Sequence, residues 1–294
     1  MRDEKTEPWT ASSTWIDKLQ YFNKTEIPNY GYSEITTFME FAMSGLFSGQ
    51  VVVVTGGSTG IGFSVARLAL EGGASAVYVT GRNTANLEAA VARLGQGAIG
   101  FASDVAKLSD LERLKARIEA DGRKVDVLVA NAGIAENNDL GDTHEALYDR
   151  IFDINVKGVF YTVQTLLPVL RDGGSIVLTG SIVGNKGLER LSAYNASKAA
   201  VRSFARSFAN DLKARGIRVN TVSPGVTRTP IMENGLKLDE EKIAGFEAYL
   251  KDAAPIGRMA DPDEIAEAVL FLASSNASYI TGVELSVDGG LAQI

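Results

Sequence analysis

From Val51 onward, short apolar runs alternate with longer segments whose apolar residues recur every three or four positions. "VVVVT" from Val51, "AVYVT" from Ala76, "VDVLVA" from Val125, "SIVLTG" from Ser175 and "RVNTVS" from Arg218 have the length and β-branched content of strands. Val51 to Val54 are apolar without alternation, as in a strand covered on both faces. Between strands, "IGFSVARLALEGG" sets Ile61, Val65, Leu68 and Ala69 on one stripe and stops at Gly72 and Gly73. "ADPDEIAEAVLFLA" offers Asp261 as N-cap, Pro262 at the first helical position, and Asp263 and Glu264 where the helix dipole favours acids. "DINVKGVFYTVQTLLPVL" is apolar well beyond one stripe, as a helix buried on two sides should be. The alternation predicts an α/β fold, a doubly wound parallel sheet with helices on both faces.

Residues 1–47 do not share this rhythm and read as an N-terminal extension ahead of a single domain over 48–294. The extension holds Trp9, Trp15, Tyr21, Phe22, Tyr30, Tyr32, Phe38 and Phe41, too much apolar surface for a typical disordered tail, and predicts a packed arm. Within it, "SEITTFMEFAMSG" from Ser33 has the spacing of a short helix. The 294 residues are 45% hydrophobic, enough for a full core. A net charge of −7 argues against nucleic acid as a partner. With no cysteine and one histidine, His144, a transition-metal site has little support; His144 reads as a surface residue at a helix start. No apolar run reaches the roughly 20 residues of a membrane span, and the acidic opening lacks the blocks of a signal peptide, so the expectation is a cytoplasmic protein with no membrane contact.

Three strand ends carry candidate chemistry. After the first strand, T-G-x-x-x-G-x-G places Gly56, Gly60 and Gly62 before a helix, where backbone can approach a pyrophosphate and helix N-terminal amides can hold it. The second strand ends in Gly81 and Arg82 where a cofactor with a free ribose 2'-hydroxyl usually meets an acid. A guanidinium suits a 2'-phosphate, with Ser58 and Asn83 as further donors, so NADP(H) is preferred and NAD(H) remains possible. In "SAYNASKAAV", Tyr194 and Lys198 are four apart and share a helix face. An ammonium beside a phenol favours the ionised form, which predicts a lowered pKa for Tyr194 and work as an acid or base. Ser181 ends the strand thirteen residues earlier, and Asn131 to Gly133 end another.

Together these residues resemble the short-chain dehydrogenase/reductase family. Its pattern runs over about residues 48–294: the glycine turn from Thr55 to Gly62, "SDV" from Ser103, "NAG" from Asn131, Asn155, Ser181, Y-x-x-x-K from Tyr194, "SPG" from Ser223 and "VDGG" from Val287. The resemblance implies a Rossmann fold on a seven-stranded parallel sheet. It implies that Tyr194 protonates a carbonyl oxygen or deprotonates an alcohol, that Ser181 hydrogen-bonds that oxygen, and that Lys198 binds the nicotinamide ribose. Asn155 would hold a water linking Lys198 to solvent, and Asp104 with Val105 would contact the adenine. Gly56, Ser58, Gly60, Ile61, Gly62, Asn131, Gly133, Pro224, Gly225, Thr227 and Thr229 complete the implied cofactor site. Thr229 would hold the carboxamide, and Thr227 stands where the family usually has an aliphatic residue. A homo-oligomer, most often a tetramer, is implied as well.

The expected function is reduction of a ketone or aldehyde to an alcohol, or the reverse. Epimerisation, dehydration, enoyl reduction and catalytically silent nucleotide binding are the alternatives. The loop over about 229–257 brings Ile231, Met232, Leu236, Leu238, Ile243, Phe246, Tyr249 and Leu250 towards the expected cleft, which favours an uncharged, partly apolar small-molecule carbonyl or alcohol.

Overall fold

The structure, a computed structural model, describes residues 45–294. The expectations for Trp9, Trp15, their aromatic neighbours and the helix from Ser33 lie outside the described residues. Phe47 belongs to the domain core, fully buried in the layer beneath the helix Gly60–Glu71.

Seven strands form one parallel sheet: β1 Val51–Val54, β2 Ala76–Gly81, β3 Ala98–Ala102, β4 Val125–Ala130, β5 Leu170–Thr179, β6 Arg218–Pro224 and β7 Glu284–Val287, in the spatial order β3-β2-β1-β4-β5-β6-β7. The chain moves outward from β1 to β3, then restarts on the other side with β4. The carboxyl ends of β1 and β4 therefore flank a topological switch point, the place where open α/β sheets bind ligands.

The two-residue period of the strands sorts their side chains into two cores. Val52, Val54, Val77, Val79, Val127 and Val129 face one way, against α1 (Gly60–Glu71) and α9 (Pro262–Ala273). Val51, Val53, Tyr78, Leu128, Ile176 and Leu178 face the other, against α3 (Leu108–Ala120), α5 (Gly158–Leu166) and α6 (Ser192–Asp211). Helix α2 (Thr84–Leu94) follows β2, and α4 (Glu145–Phe152), α7 (Ile231–Asn234) and α8 (Glu240–Ala253) are the remaining helices among the described residues.

The sequence signals for α9 correspond to observed contacts. Asp261 Oδ1 accepts from Asp263 N at 2.9 Å, and Glu264 Oε2 accepts from Asp261 N at 2.8 Å, a reciprocal capping box. His144 is exposed and is the N-cap of α4.

The apolar run from Asp153 departs from a plain helix. Residues Asp153–Lys157 form one wide turn with i to i+5 bonding between α4 and α5. Such turns interrupt helices mainly at functional positions, and this one contains Asn155. Val159, Val163 and Leu166 form one stripe buried in a single core layer, while Phe160 is 36% exposed, so within the single chain the helix is covered on one side. Among the described residues, no helix is long and apolar enough to cross a membrane.

Candidate active site

The turn after β1 is built around contacts that only glycine allows. Gly56 adopts φ +65°, and a Cβ there would lie 2.8 Å from the Ala132 Cα. A Cβ on Gly62 would collide with the Gly56 carbonyl oxygen. The loop is thereby folded back on α1 and pressed against the end of β4. Thr55 and Asn131 lock the two strand ends: Thr55 Oγ1 accepts from Asn131 N at 3.0 Å and Ala132 N at 3.1 Å, while Asn131 Nδ2 donates to the Thr55 and Gly56 carbonyls at 3.1 Å each. Thr59, the N-cap of α1, makes no side-chain cap, and no acid occupies the first turn. The amides of α1 and the positive end of its dipole thus suit an anion such as a pyrophosphate. Ile61 helps seat α1 by packing on the core layer beneath it.

At the far end of this cradle, Arg82 is exposed just beyond β2. A Cβ on Gly81 would stand 3.0 Å from Ser58 Oγ, so Ser58 lies beside the same strand end. Asn83 uses its Oδ1 to cap α2, accepting from Asn86 N at 2.9 Å. Asp104 accepts from Ala106 N at 3.1 Å and so shapes its own loop with one carboxylate oxygen, and Val105 is buried against Gly158. On the opposite rim, a Cβ on Gly60 would lie 3.2 Å from the Thr229 methyl, which brings Thr229 over the start of α1. Pro224 ends β6; Gly225 N donates to the Val287 carbonyl at 2.9 Å, and Thr227, buried, donates to the Gly225 carbonyl at 3.2 Å. The threonine is accommodated because the loop itself takes up its hydroxyl.

Ser181, Tyr194, Lys198 and Asn155 converge at the ends of β4 and β5. Ser181 leaves β5 extended and caps the turn Ile182–Gly184, its Oγ accepting from Val183 N at 3.4 Å. That turn sits on α6, since a Cβ on Gly184 would be 3.1 Å from Ala199 N. The Ser181 hydroxyl stands near enough to the Tyr194 phenol to favour its ionised form. Lys198, buried one turn along α6, donates to the Thr179 carbonyl at 2.8 Å. Its Nζ stands 5.8 Å from the Tyr194 ring centroid. Gly133 leaves room for both polar groups beside it: a Cβ there would be 3.3 Å from Asn155 Oδ1 and 3.4 Å from Lys198 Nζ.

The electrostatics correct one expectation. Burial pushes the Tyr194 phenol up to about 12, and the nearby Ser181 hydroxyl pulls it back only in part. Burial brings the Lys198 ammonium down to about 8. Lys198 is thus itself a poorly solvated charge, turned to a carbonyl, and does not lower the phenol in this arrangement. Asn155 stands beside Lys198 across Gly133. Its Oδ1 accepts from Ile134 N at 2.9 Å, and its Nδ2 donates to Ile134 O at 2.9 Å and Ser197 Oγ at 3.0 Å. The side-chain amide thereby ties the wide turn Asp153–Lys157 to α6. Ser197 and Thr179 were missed by sequence reasoning. Ser197 donates to the Tyr194 carbonyl at 2.7 Å, and Thr179 works through its backbone, which no side-chain pattern reveals.

The loop over 229–257 divides by burial. Met232, Ile243 and Leu250 are buried with Ile182 and Val183, and the Tyr194 ring, Ile231 and Leu238 pack against the same cluster. Leu236 is half-buried. Phe246 and Tyr249 are exposed at 37% and 55%, contrary to the expectation that they face the cleft. They stand three residues apart on the outer face of α8, while Ile243 and Leu250, seven apart, mark its inner face.

Residues 56–292 match the family described as enoyl-(acyl carrier protein) reductase. Oxidoreductase asL5 of Sarocladium schorii is 41% identical over 84% of this chain and 97% of its own length. Cyclopentanol dehydrogenase of Comamonas testosteroni is 38% identical, covering 84% and 98%. A solved short-chain dehydrogenase/reductase, glucose/ribitol dehydrogenase, from Brucella melitensis superposes with a TM-score of 0.79 at 30% identity, covering 84% of this chain and 98% of that one. The chain belongs to the short-chain dehydrogenase/reductase family and is an oxidoreductase. A second Brucella melitensis structure, 3-ketoacyl-(acyl-carrier-protein) reductase complexed with NADH, gives a TM-score of 0.75 at 32% identity, covering 84% and 99%. The family's cofactors are NAD(P)(H), and the glycine cradle, the uncapped amides of α1 and the clearance at Gly133 fit such a group.

Proposed function

We propose that this oxidoreductase interconverts a partly apolar, uncharged ketone or aldehyde and the corresponding alcohol. The observation that carries the reading is the Ser181–Tyr194 hydroxyl pair, with the Tyr194 ring seated on the apolar cluster of Ile182, Val183, Met232, Ile243 and Leu250. A bound nicotinamide would supply or accept the hydride. The chain's part is the proton: Ser181 holds the substrate oxygen, and Tyr194 donates to it in reduction or accepts from the alcohol in oxidation. With its phenol at about 12, Tyr194 is protonated at neutral pH, the form that reduction needs. Lys198 and Thr229 would hold the ribose and carboxamide, and the cradle from Gly56 to Gly62 the pyrophosphate.

The matched family's description keeps enoyl reduction as the second reading. Against it stand the complete Asn155, Ser181, Tyr194 and Lys198 set and the cyclopentanol dehydrogenase relative. A panel of cyclic ketones, secondary alcohols and an enoyl thioester, followed by nicotinamide absorbance, separates the two. Turnover of cyclopentanone or cyclopentanol, with none of the thioester, is expected. Turnover of the thioester alone would replace this reading with the second.

NADP(H) is the proposed cofactor because Arg82 follows directly on β2 and Ser58 lies beside Gly81 at the same strand end, where a 2'-phosphate would lie. Arg82→Asp is expected to shift preference towards NADH. Each charge-assisted bond lost is worth about 1.5 to 3 kcal/mol, about tenfold or more in affinity. Titration of both cofactors checks it, and a wild-type protein that binds NADH more tightly than NADPH overturns the assignment.

A homotetramer is also proposed. Phe204 and Phe208 stack at 5.2 Å on α6, and partly exposed Phe160 lies 5.8 Å from each, an aromatic patch on the helices expected to pair between subunits. Light scattering should give four chains; a stable monomer at micromolar concentration contradicts it.

A further inference from the structure

Helix α6 begins at Ser192 without a side-chain cap of its own, because Leu191 occupies the N-cap position. The first amides of a helix lack intrahelical partners, and leaving them unmet frays the first turn. Tyr194 is the third residue of this helix, so fraying there would move the phenol directly.

The missing cap comes from a distant loop. Asn138, 5% exposed, lies beyond β4 in sequence. Its Oδ1 accepts from Ala193 N at 3.1 Å; its Nδ2 donates to Ser192 Oγ at 2.9 Å and Thr143 Oγ1 at 3.1 Å. The Ala193 amide fixes which end of the side chain is oxygen. The backbone joins in: Asn138 N donates to the Arg190 carbonyl at 2.7 Å, and Arg190 Nε donates to Asp139 Oδ1 at 2.9 Å. Arg190 adopts φ +59°, a left-handed conformation that a side-chain-bearing residue holds only when its surroundings secure it. Residues 138 and 139 therefore secure the turn that launches α6. From the other side, Ser197 grips the Tyr194 carbonyl and is in turn held by Asn155.

We infer that Asn138 is a positioning residue for Tyr194: its buried amide replaces the absent N-cap of α6 and sets the place of the phenol relative to Ser181. The inference rests on the acid/base reading of Tyr194 given above. A displacement of about 1 Å of a catalytic group can cost about 10²-fold in rate. Asn138 touches neither reacting oxygen, so its loss should act on turnover through Tyr194.

Two measurements test this. Amide hydrogen exchange reads the clamp without any turnover: Asn138→Ala should speed exchange in the peptide covering 191–199, whereas isosteric Asn138→Asp, which still accepts from Ala193 N, should leave it close to wild type. Cyclopentanone reduction with NADPH reads the consequence in a double-mutant cycle with Tyr194→Phe. Asn138→Ala should lower kcat by about 10- to 100-fold with KM and cofactor Kd little changed. In the Tyr194→Phe background it should lower residual turnover no further. If Asn138→Ala does not fold, Asn138→Asp decides, with retained turnover supporting the cap and a loss as deep as Tyr194→Phe contradicting it. Unchanged exchange at 191–199, or an equal loss of turnover in both backgrounds, overturns the inference. A Tyr194→Phe variant as active as wild type would instead overturn the acid/base reading, while the exchange result would still stand for the clamp.

Discussion

Tyr194→Phe is expected to lower turnover by about 10²- to 10⁴-fold while leaving cofactor affinity nearly unchanged. The substitution removes one oxygen and keeps the ring, which packs on the cluster of Ile182, Val183 and Met232, so the pocket should hold its shape. What is lost is the proton donor beside Ser181. Because burial holds the phenol at about 12, wild-type reduction should show no decline from phenol ionisation across neutral pH, and alcohol oxidation should rise as the pH increases. Retention of more than about a tenth of wild-type turnover in a chemistry-limited assay would remove Tyr194 from the acid/base role.

Lys198→Met should lose turnover and gain stability. Lys198 is buried, and its ammonium is brought from an ordinary value of 10.5 down to about 8. Between those values the unfolded chain binds more protons than the folded one, so this group's contribution to stability rises with pH through that window. Below about pH 8 the penalty of burying the charge is fully present, on the order of 3 kcal/mol at about 1.4 kcal/mol per pKa unit. Losing the hydrogen bond to the Thr179 carbonyl costs about 1 kcal/mol. The variant should therefore melt a few degrees higher at pH 7, and the gain should shrink as the pH climbs towards 10.5. Melting curves at several pH values check it; a variant less stable than wild type at pH 7, or one whose gain grows with pH, contradicts it. Natural sites keep such groups because function requires them.

The strands that announced themselves in the sequence are the interior ones. β1, β2, β4, β6 and the second half of β5 are largely buried and read as short runs rich in β-branched residues. β3, "AIGFA", and β7, "ELSV", lie at the sheet edges and are only partly buried, so their composition is too mixed to stand out; the family resemblance supplied the count of seven. The caps of α9 were legible because they are local, Asp261 and Glu264 acting three residues apart. The cap of α6 was not, because Asn138 reaches it across 55 residues. The wide turn at Asn155 has no simple sequence signature. Tyr194 and Lys198 were found from their spacing, but spacing gave the wrong direction for the phenol. It registers the neighbouring charge and not the burial of both groups, and burial prevails.

The most direct test of the central claim follows the hydride itself. Cyclopentanone is incubated with the protein and nicotinamide deuterated at its transferable position, and the product is read by mass spectrometry and NMR. The account predicts cyclopentanol carrying deuterium on the carbinol carbon with wild-type protein, and its formation all but lost with Tyr194→Phe. Binding of the deuterated cofactor without label in any of a panel of ketones and aldehydes, or equal labelling by the Tyr194→Phe variant, would contradict it.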